Sequence, residues 1–185
     1  MLVVGLAGTA GSGKSAATRF FERHGFSSFR CSDIIRQECT RLGLTQTREH
    51  LFYVSTLLVQ QYGHDIVARR IADHIFASGK LFWIIDGIRR VAEVEYFRRV
   101  FPCFFLLAID APSRLRYERI VQRGDTTDTT SYSTFLHNEH KELTNEQGNM
   151  QLAQVLTMAD ATIDNDSSLQ KFEEKLQAFL SSVQS

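Results

Sequence analysis

The 185-residue sequence predicts an α/β fold, with five parallel strands held between two layers of helices. Two observations carry that expectation. Short apolar runs at 2–6, 26–31, 81–85, 103–109 and 161–163 alternate with stretches of helical periodicity, the pattern of a sheet wound by right-handed crossovers. The first run also leads directly into Gly8-Thr9-Ala10-Gly11-Ser12-Gly13-Lys14-Ser15, a G-x-x-x-x-G-K-S loop that needs a strand before it and a helix after it.

Each element follows from local pattern. After the strand Leu2 to Leu6, a helix from about Gly13 to Arg23 sets Phe20 and Phe21 among polar neighbours, and His24-Gly25 stops it. Phe26 to Cys31 reads as a second strand, after which Ser32 or Asp33 is placed to cap a helix from Ile34 to Arg41. Beyond Gly43 the pattern is helical from Thr47 to Ile75, with a break at 62–65. Residues 34–78 therefore form a helical insert between two strands, where an acceptor-binding subdomain would sit. Leu81 to Ile85 is a continuous apolar run suited to a strand covered on both faces, and it ends in Asp86-Gly87. A helix from about Val91 to Val100 and then Pro102 lead to the strand Cys103 to Ile109, which ends in Asp110.

Ala111-Pro112-Ser113 opens a helix carrying Arg114, Arg116, Arg119 and Arg123. The threonine-rich stretch from Gly124 to Ser133 is the most loop-like part of the chain and is expected to move. Helical patterns follow at 132–145 and 149–158, then a short strand from Ala161 to Ile163 and an amphipathic helix from Leu169 to Val183. With no repeat or linker, residues 1–185 are expected to form one domain, with a short lid region at 119–145.

Composition excludes several classes. A hydrophobic fraction of 43% with 14 phenylalanines argues against disorder, and zero net charge leaves no footprint for nucleic acid or an anionic membrane. The run from Phe101 to Ile109 is too short to span a bilayer, and the opening apolar run has no basic leader. Cys31, Cys39 and Cys103 show no C-x-x-C spacing and no histidine at metal-ligand distance. They are expected to be small buried residues in a reducing, cytoplasmic setting. Arginines outnumber lysines and none follows Arg123, so every planar, bidentate phosphate binder lies in the first two thirds of the chain.

The loop itself points to a bound nucleoside triphosphate. Its glycines let successive N–H groups turn toward an anion, Lys14 would reach the β- and γ-phosphates, and Ser15 would ligate Mg²⁺. The positive end of the following helix would face the same anion. The loop alone does not separate a kinase from an ATPase or a GTPase; the absence of N-K-x-D disfavours guanine reading. In a parallel sheet ligands bind beyond the carboxyl ends of the strands. The loop, Asp33, Asp86 and Asp110 all fall there, so they are expected to converge. Asp86 reads either as a Mg²⁺ ligand or as a turn residue before Gly87. Asp33 reads as a helix cap or as the group that orients the acceptor. Arg36, Arg89 and Arg90 are placed to bind an acceptor phosphate, and Arg119 with Arg123 to bring positive charge to the triphosphate.

In order and spacing, G-x-x-x-x-G-K-S, S-D-I-I-R at 32–36, I-I-D-G-I-R-R at 84–90 and R-I-V-Q-R at 119–123 resemble nucleoside monophosphate kinases of the adenylate kinase type. D-G-I-R-R-V-A-E-V-E-Y-F-R and the later A-D-A-T-I-D-N resemble still more the dephospho-CoA-kinase-related P-loop proteins of archaea, over nearly the whole chain. The resemblance implies a three-layer α/β/α P-loop kinase fold and ATP as phosphoryl donor with Mg²⁺. It implies a nucleotide-like acceptor; a monomer or homodimer is expected, and the zero net charge argues against nucleic acid or membrane as a partner. It assigns Gly8 to Ser15 and Arg119 to ATP; Lys14, Asp33, Arg119 and Arg123 to catalysis; Asp33, Arg36, Asp86, Arg89 and Arg90 to the acceptor; and Ser15 and Asp86 to the metal. Two features depart from the family pattern: an arginine replaces the usual proline before Arg90, and the lid is short.

Overall fold

The computed structural model describes residues 1–124, 131–144 and 151–184. Five strands, β1 (Leu2–Ala7), β2 (Ser27–Arg30), β3 (Phe82–Asp86), β4 (Cys103–Asp110) and β5 (Ala161–Asp164), form one all-parallel sheet in the order β2-β3-β1-β4-β5. Helices α1 (Lys14–Arg23), α2 (Cys31–Arg41), α3 (Arg48–Tyr62), α4 (Ile66–Ser78), α5 (Val91–Val100), α6 (Ser113–Gln122), α7 (Tyr132–Thr144), α8 (Leu152–Thr157) and α9 (Leu169–Gln184) complete the described elements. The predicted three-layer α/β/α architecture is therefore present.

Strand periodicity divides the core in two. Val3, Trp83, Ile85, Phe104 and Leu106 face one side, against α2, α4 and α5, while Val4, Leu6, Ile84, Leu107 and Ile109 face the other, against α1 and α9. Both faces are covered, so the strands read as continuous apolar runs rather than as alternation. Parallel pairing also brings every strand's carboxyl end to one edge. Asp86 lies in register with both Leu6 and Arg30, and Asp110 with Asp164.

Two expectations change. Helix α2 begins at Cys31, three residues earlier than the sequence suggests, and its cap is Arg30 with no side-chain cap bond. Ser32 and Asp33 therefore lie inside the first turn, where Asp33 opposes the positive helix end instead of closing it. The earlier start follows from burial, because Cys31 packs with Ile34, Ile35 and Cys39 on the face that meets the core. Cys103 is exposed at the start of β4, whereas Cys31 and Cys39 are buried as expected. Burial pushes the Cys31 thiol well up, aided by the charges of Glu93 and Asp86, so it behaves as a small apolar group. The threonine-rich stretch falls mainly on residues 125–130, and with 145–150 it lies outside the described residues, as does part of the expected lid region.

Candidate functional site

The turn between β1 and α1 is shaped by glycines in conformations that other residues avoid. Gly11 has φ 78° and Gly13 φ 116°. A Cβ on Gly13 would stand 2.1 Å from Asn165 Nδ2, and one on Gly11 2.6 Å from the Arg116 carbonyl oxygen, so neither position has room for a side chain.

Donors hold the loop's carbonyls one by one. Lys14 Nζ donates to Gly8 O at 2.7 Å and to Thr9 O at 3.0 Å. Arg116 donates to Ala10 O and Arg119 to Gly11 O, both over 3.4 Å, and Asn165 Nδ2 donates to Ser12 O at 2.9 Å. The peptides are trans, so each carbonyl drawn toward α6 or Asn165 sends the next N–H the opposite way. The N–H groups of Gly11 and Gly13 thus turn from the outer wall toward the cleft, the arrangement that cradles an anion, while the Ser12 N–H donates to Thr9 O at 3.3 Å within the loop. Gly13 O accepts from Ala16 N and Ala17 N, which starts α1 with its positive end behind the loop. Ser15 lies half-buried in that first turn.

Positive charge is concentrated there. Arg119 donates to Asn165 O at 2.9 Å and Asn165 Oδ1 at 3.1 Å, neutral acceptors that leave its charge uncompensated among the described residues. Burial, and then the nearby charge of Arg123, hold its guanidinium below the usual arginine range. An anion in the cleft would relieve both effects. Arg123 itself is exposed at the end of α6.

Across the sheet edge, Asp86 is the acidic counterpart. Burial pushes its carboxyl up, the charges of Lys14, Arg30 and Arg89 pull it down, and Asp33 pushes it up again. Asp86 therefore lies within electrostatic reach of Lys14, Arg30, Arg89 and Asp33. Asp86 Oδ1 is buried with no hydrogen-bond partner, as are Thr9 Oγ1 and Ser12 Oγ. An unsatisfied carboxylate oxygen beside a phosphate loop suits a divalent cation, and Mg²⁺ takes one or two carboxylates together with substrate phosphates rather than an all-protein cage. Among the described residues no group of three or more His, Cys, Asp or Glu side chains is gathered for a metal.

Two expected acceptor residues sit apart from this cluster. Arg36 is exposed on α2 and donates to Gln46 Oε1 at 3.1 Å. Arg90 is only 6% exposed, and its guanidinium donates to Glu93 Oε1 at 3.0 Å and Ser55 Oγ at 2.6 Å. The other Glu93 oxygen accepts from the backbone N–H groups of Arg89 and Arg90 at 3.0 and 3.1 Å. Glu93 therefore matches the charge of Arg90 and shapes the turn that presents Arg89.

Sequence reasoning missed Asn165, Arg30 and Glu93, and it treated Arg116 only as one arginine on a helix. Asn165 directly follows β5, and lies two residues beyond the end of the predicted strand, a position that in a parallel sheet marks a ligand-facing residue. Glu93, three residues after Arg90 at a helix start, carries the spacing of a capping box.

Comparison with known proteins fits this geometry. Residues 4–145 match the family model of the AAA domain. The chain is 32% identical over 186 residues to the UPF0200 protein of Thermococcus gammatolerans, covering 98% of this chain and 95% of that relative. This chain belongs to the AAA domain family and to the UPF0200 proteins. The fold of this UPF0200 protein is shared with solved small-molecule kinases. Shikimate kinase from Bacteroides thetaiotaomicron superposes with TM-score 0.59 at 14% identity, covering 97% of this chain and 98% of that one. The Mycobacterium tuberculosis APS kinase, solved with AMPPNP and APS, gives TM-score 0.57 at 17% identity over 100% and 98% of the two chains.

Proposed function

We propose that this protein is a cytoplasmic Mg²⁺- and ATP-dependent phosphotransferase that moves a γ-phosphoryl group to a small nucleotide-like acceptor, either a nucleoside monophosphate or dephospho-CoA. The observation that carries the reading is the half-buried Asp86, whose Oδ1 is buried and unpartnered among the described residues, within reach of the charges of Lys14, Arg30 and Arg89 beside a braced phosphate loop. Phosphoryl transfer needs a cradle, positive charge on the transferring group and a positioned acceptor. Gly8 to Lys14 form the cradle, and Lys14, Arg119 and Arg123 bring charge to it. Ser15 and Asp86 would hold Mg²⁺, which when bound neutralises charge on the β- and γ-oxygens. Asp33, half-buried at the start of α2, orients the acceptor hydroxyl or phosphate. Arg36 and Arg89 bind the acceptor's anionic group, with Arg90 behind them fixing the turn. The solved neighbours named as kinases of small molecules support the same reading.

A second reading has its own support. The match to an AAA domain favours ATP hydrolysis coupled to a conformational change, with no small acceptor. An assay of ATP consumption with and without nucleoside monophosphates and dephospho-CoA separates the two. Turnover stimulated by one acceptor, with a phosphorylated product, is expected; slow hydrolysis indifferent to every acceptor would favour the second reading.

A further inference from the structure

Arg116 occupies a place that phosphate binding alone does not account for. It lies one turn into α6, is 6% exposed, and touches three separate parts of the molecule. Its Nε donates to Ala111 O at 2.7 Å and one terminal nitrogen reaches Ala10 O at 3.4 Å, in the middle of the phosphate loop. The same terminal nitrogen forms an ion pair with Glu139 of α7, and the guanidinium lies over the ring of Phe135, 5.5 Å from its centroid.

One face of α7 is turned to this residue. Tyr132, Phe135 and Glu139 are spaced three and four apart, so they stack along one side of the helix. Tyr132 Oη shares a hydrogen bond with Ser113 Oγ at 2.9 Å, and Tyr117 packs on Tyr132 and Phe135 with centroids 5.2 and 5.8 Å away. The backbone on the other side of Arg116 packs against the loop, where a Cβ on Gly11 would come within 2.6 Å of its carbonyl oxygen. A buried arginine–carboxylate pair is costly to break, because removing either partner strands the other charge. Detaching α7 therefore strains the group that holds the Ala10 carbonyl outward.

We propose that Arg116 is a positioning residue that couples the seating of α7 to the shape of the phosphate loop, so that docking of α7 through Glu139 raises affinity for a triphosphate. This rests on the triphosphate reading only for its ligand arm. The bracing of the loop is a property of the ligand-free chain. Arg116 draws the Ala10 carbonyl toward α6 and so turns the Gly11 N–H toward the cleft. Glu139 keeps the guanidinium in that pose, and Phe135 closes it from water. An anion that selects the braced loop must, by linkage, favour the docked helix to the same degree.

The test is hydrogen exchange and calorimetry on the full chain with Glu139→Gln, which keeps the shape of the side chain and removes its charge. In the ligand-free protein, amides of residues 9–13 are expected to exchange about 10-fold faster in the variant, within the usual 5–150-fold range of coupling between sites. AMPPNP with Mg²⁺ should bind about 10-fold more weakly, while adenosine, which lacks phosphates, should bind equally to both forms. In the natural protein AMPPNP should slow exchange in 132–144, and in the variant that protection should be lost. Arg116→Lys retains the charge but not the branched donors, so it should loosen the loop while leaving α7 seated, which guards against reading a folding defect as lost coupling. Loop exchange within two-fold of the natural protein in both variants overturns the proposal, whatever the ligand does. Failure of the natural protein to bind AMPPNP overturns the proposed function, and loop exchange in the ligand-free chain then decides the coupling by itself.

Discussion

Around the phosphate loop, consecutive carbonyls from Gly8 to Ser12 each accept a side-chain donor from Lys14, Arg116, Arg119 or Asn165. Across the cleft, Arg36 on the exposed face of α2 donates to Gln46, and Arg90 is turned inward to Glu93 and Ser55. The proposed donor side is thus braced by its own side chains, whereas the proposed acceptor side places its arginines on separate helices and turns. Binding energy on the first side is spent little on ordering, and on the second an acceptor must draw its ligands together. Helical inserts of this kind are where closure adds catalytic groups.

The sharpest way to break this contrast is on the braced side. Lys14→Ala removes a preorganised charge at the triphosphate and should lower turnover by about 10³-fold, the scale of losing one oriented transition-state contact. Near-normal turnover would place the transferring group elsewhere.

Next in size is the difference between two adjacent arginines. Arg90→Met strands Glu93, which is 1% exposed, and breaking a buried pair in this way costs about 3–5 kcal/mol. The melting temperature should fall by about 6–20 °C in a chain this long. Arg89→Met should leave melting nearly unchanged and raise the acceptor KM about 10-fold or more, the scale of a charged hydrogen bond. A reversed result, with Arg90 controlling KM and Arg89 controlling melting, would exchange their roles. Asp33→Asn should then lower turnover by about 10²-fold, as for loss of a group that handles the acceptor proton. Melting should barely move, because Arg30 and not Asp33 holds the cap position. A drop in melting temperature without a drop in turnover would reduce Asp33 to a helix-end charge.

These pairs also show what sequence could reveal. The strands and most helices were legible because period and burial coincide: Phe82–Asp86 and Cys103–Asp110 are apolar runs covered on both faces, and Val91–Val100 appears with the bounds its pattern predicts. The positions of the loop and of Asp86 at strand ends were legible because each follows an apolar run within a short stretch. Asn165, 153 residues from the Ser12 carbonyl it holds, was not, since no local pattern records a contact made across the sheet. Arg90 was misleading for a related reason. Spacing from Asp86 aligns it with a phosphate binder, but whether a guanidinium faces a ligand or a buried glutamate depends on which helix packs behind it. The start of α2 was misplaced because burial of Cys31 outweighed the local preference for Ser32 or Asp33 as a cap.

The smallest expected effect is the one whose sign is least obvious. Burial holds the Asp86 carboxyl above its ordinary range despite the opposing charges of Lys14, Arg30 and Arg89. A raised native pKa means that, as pH climbs from about 3.9, the unfolded chain loses this proton first and the native state keeps it longer. Stability therefore declines through that window and stays lower above it. Asp86→Asn has no such titration, so the variant should be more stable than the natural protein at pH 7, by on the order of 1 kcal/mol, and the gain should vanish below about pH 4. Melting curves from pH 3 to pH 8 measure both limbs. Addition of Mg²⁺ with AMPPNP should reverse the order at neutral pH, because the carboxylate that destabilises the ligand-free fold is the one proposed to face the cation, and a ligand that binds only the native state raises its stability. An asparagine variant that is less stable at pH 7, or that gains as much from Mg²⁺ and AMPPNP as the natural protein does, would make Asp86 a turn residue rather than a metal ligand.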